Sequence, residues 1–139
     1  MSIVVDYPTF TNARAHLKDV LDSNARGITV TVGRDEQVSA VVPAERLREY
    51  FFRTVSPRVR LMREDGRVIA LMDERPFVSE GADIEGALGD LALTLREYAD
   101  DWEERLQHAP NHSQQWAIVQ LVKLSTDDEL REWFRRGGE

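Results

Sequence analysis

The chain predicts an α+β fold: a small head of strand, helix, β-hairpin and helix, then a second hairpin, a long helix and two shorter C-terminal helices. Three observations predict it. β-Branched residues alternate with period two over Ile28-Thr29-Val30-Thr31-Val32, an Asp65-Gly66 pair sits between two apolar runs, and apolar residues recur at helical spacing from Ile84 to Leu106. With 139 residues the chain has room for one ordinary domain or two very small ones.

The elements follow in order. Ile3 to Val5 reads as a short strand, and Thr9 to Asn24 as a helix whose stripe is Ala13, Leu17, Val20 and Leu21, stopped by Gly27. Ile28–Val32 and Val38–Val42 form a hairpin around the turn Gly33-Arg34-Asp35-Glu36. Pro43 opens a helix through Phe51, a position where its missing N–H costs little. Ser56-Pro57 marks the boundary between domains 1–55 and 56–139. Val59–Met62 and Val68–Leu71 then form a hairpin across Glu64-Asp65-Gly66, since an Asp-Gly pair suits a tight turn with positive φ. Phe77-Val78 adds a strand, and a long helix starts near Asp83 with Ile84, Ala87, Leu88, Leu91, Leu95, Tyr98, Trp102 and Leu106 on one face. His108-Ala109-Pro110-Asn111 ends it. One further helix carries Trp116, Val119 and Val122, and another carries Leu130, Trp133 and Phe134 behind the capping box Thr126-x-x-Glu129.

Composition narrows the function classes. There is no cysteine, so disulfides, thiolate metal sites and cysteine nucleophiles are excluded. No apolar run approaches the roughly 20 residues that cross a bilayer, and the first residues lack the pattern of a secretion signal, so a cytoplasmic location is expected. The net charge of −7 argues against wholesale affinity for nucleic acid. Its distribution is uneven: residues 1–52 hold six basic and seven acidic side chains, whereas residues 83–139 hold six and thirteen. A near-neutral first half can present a local basic patch to phosphates, and an acidic far end favours a basic partner.

The residues Phe10-Thr11-Asn12-Ala13-Arg14-Ala15-His16-Leu17, followed by Gly27-Ile28-Thr29-Val30-Thr31 and Val38-Ser39-Ala40-Val41-Val42-Pro43, resemble the amino-terminal domain of the Phd/YefM antitoxin family. The resemblance implies a homodimer or higher oligomer that sets its paired first helices against operator DNA at an inverted repeat, represses its own operon, and uses the remaining chain to neutralise a cognate protein toxin. On that reading Thr11, Asn12, Arg14, Lys18 and Arg34 are the DNA-binding candidates. Arg14 is expected to meet a guanine edge, because its planar fork can bond O6 and N7 together, while Lys18 and Arg34 anchor phosphates. Asp6 and the lead-in from Val4 to Pro8 depart from the compact start of that family.

Over residues 58–106 the order of hairpin, Phe77-Val78-Ser79-Glu80-Gly81 and Ala82-Asp83-Ile84-Glu85-Gly86-Ala87-Leu88 leading into a long amphipathic helix is similar to HicB-like antitoxin domains. These resemble a reduced ribonuclease H fold without its metal site and serve to bind a toxin. An enzyme would need carboxylates converging on one pocket, whereas Asp65, Asp73, Glu74 and Asp83 fall in turns or at a helix start, where acids form turns and caps. His108 and His112 flank Pro110, which interrupts any helix between them, so an interhelical turn is expected there and not a metal site. No cofactor is implied.

The far end is expected to fold before any partner arrives, since Trp102, Trp116, Trp133 and Phe134 lie on amphipathic helices. The acidic runs Asp100-Asp101-Trp102-Glu103-Glu104 and Asp127-Asp128-Glu129 would suit a basic ribonuclease surface. Trp102, Glu103, Glu104, Trp116 and Trp133 are therefore the toxin-binding candidates. The expected function is a non-enzymatic antitoxin and autorepressor. The alternative is a stand-alone dimeric DNA-binding regulator or adaptor with no toxin partner, and an enzyme stays open only through the nuclease-like fold of the middle.

Overall fold

A computed structural model describes residues 3–138. In chain order they form α1 (Phe10–Ala15), α2 (Leu17–Ala25), β1 (Val30–Arg34), β2 (Gln37–Val41), α3 (Ala44–Thr54), β3 (Val59–Glu64), β4 (Arg67–Met72), β5 (Val78–Gly81), α4 (Ile84–Asp101), α5 (Trp116–Leu124) and α6 (Asp127–Arg136). A π-helical turn, Trp102–Leu106, extends α4, and a 3-10 turn, Ser113–Gln115, precedes α5. The fold is α+β, with a two-stranded antiparallel sheet β1-β2 and a three-stranded antiparallel sheet ordered β3-β4-β5. The chain divides into two compact units, one ending at Leu47 and one beginning at Arg48. Among the described residues no helix is long and apolar enough to cross a membrane.

In the first unit the strand expected at Ile3 to Val5 does not form. A single parallel bridge joins Tyr7 to Val32 instead. The Tyr7 N–H donates to the Thr31 carbonyl (3.0 Å) and the Gly33 N–H to the Tyr7 carbonyl (2.7 Å). Pairing stops there because the Asp6 carboxylate accepts the Thr31 N–H (2.9 Å), occupying a donor that a neighbouring strand would need.

The single helix expected over Thr9 to Asn24 is broken at His16, whose φ of −118° and ψ of 25° lie outside the helical region. In an unbroken helix the His16 amide would donate to the Asn12 carbonyl. Here that carbonyl lies 2.9 Å from His16 Nδ1, and the amide turns to Ala13 O at 3.1 Å. The His16 ring also stacks on Tyr7, with centroids 5.8 Å apart. The expected stripe splits accordingly: Ala13 and Val20 are buried, while Leu17 and Leu21 are 55% and 54% exposed. The hairpin β1-β2 pairs Val30 with Val41 and Arg34 with Gln37, so β1 starts two residues later than the alternation suggests and the turn narrows to Asp35-Glu36. Helix α3 runs past Phe51 to Thr54.

In the second unit β3 and β4 meet across Asp65 (φ 51°) and Gly66 (φ 77°), the paired left-handed conformations of a two-residue hairpin turn. Only a glycine takes the second of these without strain. Val68, Ala70 and Met72 alternate into the core, and β5 covers Val78–Gly81, one residue beyond the strand start expected at Phe77. Asp83 caps α4 by accepting the Gly86 N–H at 2.7 Å. Helix α4 packs on β4 and β5 and also on α5 and α6. It therefore buries Ala92 and Ala99 as well as Ala87, Leu88, Leu91 and Leu95, a wider band than one stripe. Ile84, assigned to that stripe, is 40% exposed. Both halves of the Thr126–Glu129 capping box are formed at α6.

Candidate nucleic-acid interface

Thr9 caps α1 by accepting the Asn12 N–H at 3.2 Å, and the six-residue helix that follows presents Phe10, Thr11, Asn12 and Arg14 to solvent. Arg34 closes β1, next to the hairpin turn. These two guanidinium groups share one platform. The Cζ of Arg14 lies 6.0 Å from the Phe10 ring centroid and that of Arg34 lies 5.6 Å from it. Among the described residues neither is held by a carboxylate, so both cations stand on an exposed aromatic face with their donors unspent. Lys18 lies on α2, beyond the His16 break, in an exposed ion pair with Asp22 (2.8 Å). Such a pair is worth little and opens at small cost. Asp6, which departs from the family pattern, has its carboxylate engaged with Thr31.

The structure thus brings Arg14 and Arg34 together on Phe10. It does not supply the long first helix on which Thr11, Asn12, Arg14 and Lys18 were expected to share one axis. Phe10 is not among the sequence candidates; its i, i+4 spacing to Arg14 is the signal the sequence offers. The position of Arg34 had none, because the register that places it beside Phe10 is tertiary.

The toxin-binding candidates separate by burial. Trp133 is fully buried and its Nε1–H donates to the Val55 carbonyl at 2.8 Å. Trp102 is buried too, with its Nε1–H on the His112 carbonyl at 2.8 Å. In this fold neither offers a surface to a partner, because each indole fills the core of the second unit. Trp116 is 51% exposed and makes an edge contact with Phe51. Glu103 and Glu104 are exposed, Glu103 in an ion pair with Lys123.

No family model matches the chain, and no curated protein matches it. A crystal structure shares its fold. That structure is the antitoxin part of a candidate toxin/antitoxin system from Syntrophomonas wolfei subsp. wolfei, with a TM-score of 0.75 and 23% sequence identity. The superposition covers 94% of this chain and 95% of the other. At that identity the likeness establishes a common fold.

The acidic residues weighed for metal chemistry are used locally. Asp65 is in the hairpin turn, Asp73 pairs with Arg60 (2.8 Å), Glu74 pairs with Arg58, and Asp83 is a helix cap. Among the described residues no group of three His, Asp or Glu side chains could hold a metal ion. His112 Nδ1 lies 2.8 Å from the Tyr98 hydroxyl, whose burial pushes its pKa above the usual range. The turn around Pro110 is tied to α4 through that ring and through Trp102. Arg96 makes a second structural clasp that the sequence does not advertise. Its guanidinium donates to the carbonyls of Val122 (2.9 Å) and Ser125 (2.8 Å) and to Asp127 (2.9 Å), joining α4 to the α5–α6 turn.

Proposed function

We propose that this chain is the antitoxin of a toxin–antitoxin pair, acting without catalysis: its first unit dimerises and binds operator DNA, and its second unit engages a cognate toxin. The observation that carries this reading is the fold shared along nearly the whole length of both chains with an antitoxin part of known structure. The Phd/YefM-like head and the HicB-like middle give the finer assignment.

Two features of the first unit support its part. Leu17, Leu21, Ile28 and Val38 are exposed on a unit whose buried apolar side chains are few, the expected state of a head that completes its core against a second copy. The Arg14–Phe10–Arg34 cluster would then occur twice, related by the two-fold axis of the dimer, and could meet an inverted repeat. Arg14 reads a base edge while Arg34 and Lys18 hold phosphates. Thr11 and Asn12 remain available as short donors. In the second unit Trp116 with Glu103 and Glu104 is the surface set for a basic toxin, of which a ribonuclease is one candidate. Such a protein works in the cytoplasm, beside its operon.

Two experiments test the reading. Co-expression with the adjoining reading frame should rescue growth from that frame's toxicity, and reversing Glu103 and Glu104 to Lys should weaken the rescue; no rescue by the intact chain refutes the toxin half. A mobility shift on DNA upstream of the operon tests the head, and absence of any shift at low salt refutes operator binding. A shift without rescue favours a stand-alone regulator.

A further inference from the structure

We infer that a second copy of this chain docks edge to edge along β3, antiparallel about a two-fold axis at Met62, so that the three-stranded sheet continues from one chain into the next. This interface is separate from the head dimer proposed above.

Strand β3 is an edge of the β3-β4-β5 sheet, and Arg60 to Glu64 are all exposed. A six-residue open edge is long enough to template another strand. The direction of its free backbone groups follows from the ladder. The Arg58 carbonyl accepts the Asp73 N–H at 2.9 Å, next to the Val59–Met72 pair. Antiparallel ladders alternate, so Arg60, Met62 and Glu64 bond to β4, and the N–H and C=O groups of Val59, Leu61 and Arg63 point outward. The closing Glu64–Arg67 pair at the two-residue turn has the same phase.

On the sheet face away from α4, Met62, Ile69, Leu71 and Val78 form an apolar strip among the charged Arg60, Glu64, Arg67 and Glu80, on a face that is ordinarily polar when an antiparallel sheet is half-covered. Met62 lies opposite Ile69, and Leu71 opposite Val78, with Met62 42% and Val78 60% exposed. Charges on an edge commonly prevent pairing, but here their signs complement one another in a register the backbone allows. Outward groups must face outward groups, so the axis passes through a residue and not between two. With the axis at Met62, Leu61 exchanges two hydrogen bonds with the partner's Arg63, and Arg60, whose exposed pair with Asp73 opens at small cost, stands opposite the partner's Glu64, each twice by symmetry. The Met62 side chains meet across the axis and join the two apolar patches into one strip.

The test is solution mass by light scattering on the full chain, with circular dichroism to check folding. Arg63→Pro removes an outward N–H while leaving the bonds to β4, a substitution that edge strands tolerate. If the heads stay apart, it should take a dimer to a monomer; if they also associate, it should take the larger assembly built by two different two-fold interfaces down to the head dimer. Glu64→Arg and Arg60→Glu should each lower the mass in the same way, and an equimolar mixture of the two should restore it, because each then meets its opposite charge. A wild-type mass unchanged by Arg63→Pro, or a mixture that stays at the lowered mass, overturns the inference. So does an unchanged mass accompanied by lost toxin capture, which would assign the edge to the toxin.

Discussion

Replacing Arg14, Arg34 and Phe10 one at a time should separate reading from anchoring. If the Arg14 fork bonds a guanine edge, Arg14→Ala should cost about 1–3 kcal/mol on the operator, roughly 5- to 150-fold in affinity, and much less on scrambled DNA. Arg34→Ala should weaken both duplexes alike and lower the slope of log affinity against log salt by about 1, the signature of one lost phosphate contact. Phe10 touches no DNA in this scheme. Its ring lies 5.6 Å and 6.0 Å from the two guanidinium carbons and is 50% exposed, so each contact is an exposed cation–π pair of about 0.5–1 kcal/mol. Phe10→Ala should therefore weaken operator binding by at most about 1–2 kcal/mol, and the loss should shrink when Arg14 is already Ala. Fluorescence anisotropy from about 50 to 200 mM salt, on the upstream duplex and a scrambled one, measures all of these terms. Equal losses on both duplexes for Arg14→Ala, or a Phe10 effect undiminished in the Arg14→Ala background, would refute the division of labour.

Other outcomes follow from the second unit. Thr126→Ala removes half of the capping box and should lower stability by about 1 kcal/mol in urea unfolding. The Thr126 backbone N–H holds the Glu129 carboxyl below its usual range, with Arg48 contributing. Because the folded value is depressed, that stabilisation is present above the ordinary carboxylate range and fades as pH falls through the folded value; Glu129→Gln should flatten the acid limb of stability against pH, and an unaltered limb contradicts this. Trp133→Phe leaves the Val55 carbonyl without its indole donor and should cost about 1–3 kcal/mol by the same unfolding measurement. Gly81→Ala would set a methyl 2.3 Å from the Ala87 nitrogen and 2.4 Å from the Gly86 carbonyl carbon, so β5 and the start of α4 must separate. A loss of about 1–3 kcal/mol is expected, and wild-type stability would show that the junction yields freely.

What the chain announces about its fold is what neighbouring residues decide among themselves. Asp65-Gly66 selects its turn through backbone conformations open to that pair, Asp83 and Thr126 cap helices through hydrogen bonds reaching three residues, and the periodicity of α4 survives into the fold. Expectation and structure part where a side chain takes a backbone group that a helix or strand would have used. His16 breaks the first helix because its own ring competes for the Asn12 carbonyl while stacking on Tyr7, and the first strand is cut short because Asp6 reaches the Thr31 amide. Neither partner can be read from periodicity.

The site divides along the same line. The amino acids by themselves determined which groups could meet DNA or a toxin, since charge, donors and aromatic area are properties of the residue. Tertiary structure alone decided which are offered: it set Arg34 beside Arg14 on Phe10, withdrew Trp102 and Trp133 into the core while leaving Trp116 outside, and placed β3 at the edge of its sheet. The physical reason is that burial and pairing depend on which remote segments arrive at a residue, and the packing of those segments is a property of the whole chain.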